Sequence, residues 1–312
     1  MSSPFSSGGL RQTLRNFKQQ NPWPLFWEKR LQKKILRTRP IYTTPQDADC
    51  DVELHLLCYH RDWMLAIWAL KSFYYYSQVH YRLVIHLQSE IPEEGHSALA
   101  FHFPWARVVT KKEADEKCEP YLQSIGADRL LEARRKNGLF YKLVDVQLFA
   151  NSPTLFCLDP DVLFFRGAEE IVAEAKNPVE KYWFQKDAFS GYCGVSVEEA
   201  RESWDMKLCP SLNTGMVLRA KDSFSFAELD EYLAHPKLKN YSTHAEQTLQ
   251  ALYACKRDMA AYWPESYLVN MNSATPPGAV CRHYAGPSRG FLHQDGIKRL
   301  VQGGLLKELQ RS

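Results

Sequence analysis

The chain has 312 residues, enough for one large α/β domain or two smaller ones. Apolar residues make up 45% and charged residues 24%, which excludes disorder over most of the length. A net charge of +3 is too small to argue for nucleic acid, and no nucleic-acid partner is expected.

Residues 1–45 differ from the rest and read as a basic amphipathic arm. Between Arg11 and Arg39 there are nine Lys or Arg residues and one acid, Glu28. In "FWEKRLQKKILRTRP", Trp27, Leu31 and Ile35 fall on one helical face with cations opposite, and Pro40 ends the segment. Such a segment over 11–39 suits peripheral contact with an anionic membrane, and equally suits packing its apolar face on the following domain. The chain opens without an apolar leader stretch, and no run reaches the length of a membrane span. Eight cysteines include no C-x-x-C pair, so a cytoplasmic protein with reduced thiols is expected.

From residue 46 to 312 an alternating β/α order predicts one domain with a mostly parallel central sheet flanked by helices, a Rossmann-like arrangement. Strands are expected at 51–59, 81–88, 106–110, 154–165, 181–185 and 214–219. Helices are expected near 63–77, 225–234 and 244–256, with two more in 113–150 broken at Gly138. The run 155–165, "LFCLDPDVLFF", is the most hydrophobic strand, yet it carries Asp159 and Asp161. Two like charges in a covered strand are costly unless something positive answers them. Residues i and i+2 of a strand share a face, and Pro160 between them ends or turns the ladder. Paired carboxylates at the ligand edge of such a sheet can hold a hard cation, Mn²⁺ or Mg²⁺, that arrives with a diphosphate.

Over roughly residues 50–290 the order of motifs resembles the nucleotide-diphospho-sugar glycosyltransferases of the GT-A fold. "FCLDPDVLFF" resembles their D-x-D element, and "DVELHLLCYHRDWMLAIWALKSF" their first strand and helix. "GLFYKLVDVQLF", "LNTGMVLR" and "HAEQTLQALY" resemble the elements that follow. "HYAGPSR" is similar to the H-x-x-G-x-x-K element of the glycogenin-like retaining branch, with Arg289 in place of Lys.

The resemblance implies a hexosyltransferase that moves a sugar from a nucleotide diphosphate, UDP in the first instance, to a glycan, lipid or protein acceptor. Asp159, Asp161 and His283 would hold the metal. Tyr59 and His60 would line the base. Lys142, Arg289 and Gly286 would meet the diphosphate, with Asp159 also facing the donor. Asn213 and Gly215 would contact donor sugar or acceptor, and Asp187, Glu246 and Gln247 would take catalytic or acceptor-side roles. Glu246 is equally apt as a capping partner of Ser242 or Thr243. Alternatives are a phosphohydrolase of the haloacid dehalogenase type, whose D-x-D supplies a nucleophile, a sugar-nucleotide pyrophosphorylase, and a non-catalytic sugar-nucleotide-binding protein.

Overall fold

A computed structural model describes residues 23–41, 49–176, 179–205, 207–239, 241–242, 244–269 and 274–311. Residues 11–22 of the basic arm and Thr243, expected as a helix cap, lie outside them.

The arm runs as helix α1 (Trp23–Gln32) and a 3-10 turn (Lys33–Arg37). Ile35 is fully buried, and Leu31 and Leu36 pack on the same cluster. The Trp68 indole donates to the Gln32 carbonyl at 2.9 Å, and Lys71 Nζ to the Arg39 carbonyl at 2.5 Å. The described part of the arm is thus packed on the body, one of the two outcomes its periodicity allowed. Its cationic side stays in solvent.

The body begins with β1 (Asp49–Cys58), α2 (Trp63–Ser77), β2 (Tyr81–Leu87), α3 (Glu93–His102) and β3 (Arg107–Val109). The charged stretch forms α4 (Lys111–Ser124) and α5 (Asp128–Lys136), a 3-10 turn (Gly138–Lys142) and α6 (Asp145–Phe149). The break expected only at Gly138 therefore has a predecessor at Gly126, which takes φ +69°. Next come β4 (Thr154–Leu158), β5 (Val162–Phe164), α7 (Glu169–Ala175), β6 (Tyr182–Lys186), α8 (Val197–Trp204) and β7 (Leu212–Ala220). The chain continues through α9 (Phe226–Tyr232), α10 (Ala245–Lys256), β8 (Ala260–Tyr262), β9 (Tyr267–Val269) and β10 (Cys281–His283). It closes with a 3-10 turn (Gly286–Gly290), a π-helical turn (Leu292–Ile297), α11 (Lys298–Gln302) and α12 (Leu305–Arg311).

Among the described residues the strands form one sheet of order β3-β2-β1-β4-β7-β6-β9-β10-β5, with β8 beside β6. Pairing is parallel except at β4–β7, β6–β7 and β5–β10. One apolar layer joins Ile35, α2, α3 and the C-terminal helices. The other joins α4 to α6 with α9 and α10. Burial on both faces explains why β4 is almost wholly apolar, while β1 and β7 bury polar residues such as Glu53, His55, Asn213 and Arg219 among their apolar ones. The run 154–165 is not one strand. The D-P-D corner splits it, sending β4 to the sheet centre and β5 to its far edge against β10.

Three imidazoles are enclosed in this core. His55 Nδ1 lies 2.9 Å from His86 Nε2, with Glu53 Oε2 3.5 Å from His55 Nε2, while His102 sits near Lys71. Burial depresses His55 and His86, and burial reinforced by Lys71 takes His102 down to about 3. Below about pH 6.5 the unfolded chain binds protons that these rings refuse in the fold, so stability is lost as pH falls through that value. The slope is at most about 1.4 kcal/mol per pH unit for each ring. Urea midpoints between about pH 6.5 and pH 5 should therefore fall less steeply in a His86→Leu variant than in the parent. Equal slopes would remove these rings from the acid response.

Candidate active site

The D-P-D corner stands where β4 leaves the sheet. The Asp159 N–H donates to the Gly215 carbonyl at 2.8 Å, and the Val162 N–H to the Asp159 carbonyl at 3.2 Å, which closes the turn. The Tyr284 N–H donates to the Asp161 carbonyl at 2.9 Å, tying the corner to the end of β10. These bonds bring His283 to the acids. One ligand atom each from Asp159, Asp161 and His283 lie within 4.8 Å of one another. His283 Nε2 is 3.2 Å from Asp161 Oδ1 and 3.8 Å from Asp159 Oδ2.

The imidazole is oriented from behind. Asn213 Oδ1 accepts the Gly215 N–H at 2.9 Å and lies 2.8 Å from His283 Nδ1. An acceptor at that place takes the proton of Nδ1 and leaves Nε2 facing the carboxylates, where it can carry either a proton shared with the acids or a metal ion in its place. Gly215 is required there. A Cβ on it would stand 2.2 Å from His283 Cε1 and Nδ1. Asn213 Nδ2 in turn donates to Asp187 Oδ2 at 2.8 Å. Asn213 and Gly215 therefore serve the imidazole.

Three cations answer the acids. Lys142 Nζ is 2.7 Å from Asp159 Oδ1 and donates to the Thr214 carbonyl at 2.9 Å. It is nearly fully buried, so its contacts run to the ligand carboxylate and the chain rather than to the open cleft. Burial opposes its charge, but Asp159 and Glu246 outweigh that and raise its pKa. Arg289 bonds Asp62 and holds Nε 3.8 Å from Asp161 Oδ2. Burial likewise disfavours a charged His283, yet Asp161 and Asp159 raise it above an ordinary imidazole. Asp161 is lowered despite burial, through His283, then Arg289 and Lys142. Gly286, exposed and at φ +49°, begins the turn that carries Arg289.

Glu246 lies beneath this layer at 1% exposure. It accepts from Thr214 Oγ1 at 2.9 Å and from Gln250, and burial raises its pKa against the pull of Lys142. It is not a helix-capping partner. α10 has no side-chain cap, and Ser242 Oγ pairs instead with Cys193. Gln247 Nε2 donates to the Gly191 carbonyl at 2.9 Å and so holds the loop after β6. Asp187 sits at the end of β6, its carboxylate shared between Asn213 and the Ala188 N–H.

At the carboxyl ends of β1 and β2, a cleft of about 570 Å³ is lined by Tyr59, Gln88, Asn137, Gly138, Leu139 and Tyr141, with charged side chains from α4 and α5 on its other wall. Tyr59 is half-exposed and meets the His60 ring edge-on at 4.5 Å. The His60 N–H is bound to Ser89 Oγ and its ring accepts from Arg61.

Two participants escaped the sequence. Asp62 precedes α2 but makes no side-chain cap there, and its carboxylate goes to Arg289. Thr214, between Asn213 and Gly215, links Lys142 to Glu246 through its carbonyl and its hydroxyl. Alternation along β7 was the available signal, since Asn213 and Gly215 face one side and Thr214 the other.

No protein-family model matches the chain, and no curated protein matches it in sequence. Solved structures do. The chain is similar to mouse xyloside xylosyltransferase 1, with TM-score 0.50 and 14% identity over 75% of this chain and 97% of that one. It is similar to the bifunctional glycosyltransferase WbbM, with TM-score 0.55 and 12% identity over 87% of this chain and 53% of that one. It is also similar to the galactosyltransferase LgtC, solved with donor and acceptor sugar analogues, with TM-score 0.50 and 14% identity over 82% and 95%. The fold is the GT-A type, an α/β sheet flanked by helices, as the motif order implied.

Proposed function

We propose that the protein is a metal-dependent glycosyltransferase that moves a hexosyl group from a UDP-sugar to an acceptor hydroxyl, in the cytoplasm and with the anomeric configuration retained. The observation that carries this is the convergence of Asp159, Asp161 and His283 at the ligand edge of a GT-A sheet. Two carboxylates and an imidazole whose Nε2 faces them are a donor set suited to Mn²⁺ or Mg²⁺, the ion taking the place of the Nε2 proton. Among the described residues no other such group of His, Cys, Asp and Glu is found. The ion would supply positive charge to the diphosphate as the glycosidic bond to it breaks.

The chain's own residues supply the rest. Arg289, half in solvent and fixed by Asp62, is placed to fork onto phosphate oxygens. Lys142 offsets the charge of Asp159 from below and fixes the orientation of its carboxylate. Gly286 lets the backbone near Arg289 approach the diphosphate. Tyr59 and the cleft beside it would take the nucleobase, with His60 steadying that turn. Asp187, with the loop that Gln247 holds, would border the transferred sugar and the acceptor. Retention is supported by the carboxylates nearby. An inverting reaction needs a free base beside the acceptor, whereas Glu246 is enclosed and Asp187 is bound by Asn213 and its own loop.

The test is a donor panel. UDP-, GDP- and other nucleotide sugars are incubated with the protein, with and without Mn²⁺, and slow release of free nucleotide is measured. Metal-dependent release from a UDP-sugar is expected. No metal-dependent release from any donor would refute the proposal.

A further inference from the structure

The cationic side of the arm has no task in the chemistry above. Lys29, Arg30, Lys33, Lys34 and Arg37 line one groove of about 480 Å³. All five are exposed, and among the described residues no ion pair joins any of them to a carboxylate. The segment's only acid, Glu28, accepts from Gln294 at 2.9 Å. Like charges close together on a helical surface repel, as Lys29 and Arg30 do within α1 and Lys34 and Arg37, three apart, do in the 3-10 turn.

The patch is also anchored. Buried Ile35 and the bonds from Trp68 and Lys71 fix its inner side, so the cations form a set array. At one end Trp27 is 53% exposed, with the Arg30 guanidinium 5.4 Å from its ring centre. The arm also meets the π-helical turn, through Gln32 with His293 and Glu28 with Gln294. The residue just before that turn, Phe291, is 39% exposed and lies two residues beyond Arg289 of the candidate site.

We propose that this face docks the protein on an anionic lipid surface. Cations would meet the phosphate headgroups, and Trp27 and Phe291 would lie at the boundary of headgroups and chains. Charge complementarity calls for an anionic partner, and exposed aromatics beside the cations favour a bilayer over a soluble polyanion. Because the docked face adjoins the turn that carries Arg289, the cleft would open close to the membrane, where a lipid-linked acceptor is presented. Docking itself does not depend on the transfer chemistry and can be tested apart from it.

The full chain is sedimented with phosphatidylcholine vesicles, with and without about 30% phosphatidylglycerol. Binding is expected only to the anionic vesicles, and it should fall steeply between about 0.05 and 0.5 M salt. The triple variant Lys29→Glu, Lys33→Glu, Arg37→Glu should lose at least about tenfold in partitioning. A second triple variant, with Gln at the same positions, should fall in between. Both should keep the parent's circular dichroism and its vesicle-free donor hydrolysis, so that a folding defect or a wrong assignment of the active site is read separately. Equal binding to neutral vesicles, unchanged partitioning of the Glu variant, or competition by heparin at concentrations that saturate the protein below the lipid affinity would overturn the proposal.

Discussion

Replacing Asp161 by Asn is expected to abolish metal-dependent donor hydrolysis, with a loss of about a thousandfold or more in turnover. The substitution keeps shape and volume and removes one negative charge. Asp161 is 8% exposed, and its two oxygens face His283 Nε2 at 3.2 Å and Arg289 Nε at 3.8 Å. With the charge gone, the imidazole and guanidinium face each other across a neutral amide, and a dication would have one anionic ligand in place of two. Calorimetric titration with Mn²⁺ should show the affinity falling together with turnover. Circular dichroism separates this outcome from unfolding. Full metal-dependent turnover in the Asn variant would show that the D-P-D corner is not where the reaction occurs.

The second large effect is expected from one methyl group. Gly215→Ala adds a Cβ at 2.2 Å from two atoms of the His283 ring and 2.9 Å from a third. The glycine cannot retreat easily. Its N–H is held by Asn213 Oδ1 and its carbonyl by the Asp159 N–H. The ring must therefore move, and with it the Nε2 lone pair. Disturbing a group that orients a metal ligand costs about 10–100-fold in metal affinity, and overpacking a buried site costs about 1–3 kcal/mol of stability. Gly278→Ala is the control, since nothing lies within 4 Å of the Cβ it would add. Mn²⁺ titration and thermal melts of both variants decide the point. Parent-like affinity in Gly215→Ala would mean that His283 is not a ligand.

How far the chain could be read in advance depended on the range of each interaction. β1 and α2 were legible because a covered strand and a long apolar helix each state their period locally. The Asp pair was legible because charge inside such a run demands a partner. The end of the ladder at Pro160 was legible from the proline itself, but the destination of β5 was not, since the apolar pattern is the same on both sides and only pairing with β10 reveals it. The short strands β8, β9 and β10 were missed because three residues carry no period of their own. The link from Asn213 to His283 spans the gap between two motifs that were recognised separately, and nothing in either names the other. Lys142 was expected at the diphosphate because the motif around it resembles one whose basic residue faces the nucleotide. Its depth and its contacts with Asp159 and the Thr214 carbonyl could not be read from that motif.

The splitting of one apolar run by the D-P-D corner also bears on how the molecule is made. A ribosome delivers Lys142 first, then both acids, and only well over a hundred residues later His283 and Arg289. While β10 is still unmade, the newborn chain has one of its three balancing cations to hand. Closure of the acid pair therefore waits on the C-terminal stretch of the chain, and of its counter-charges only Lys142 is made before the acids themselves.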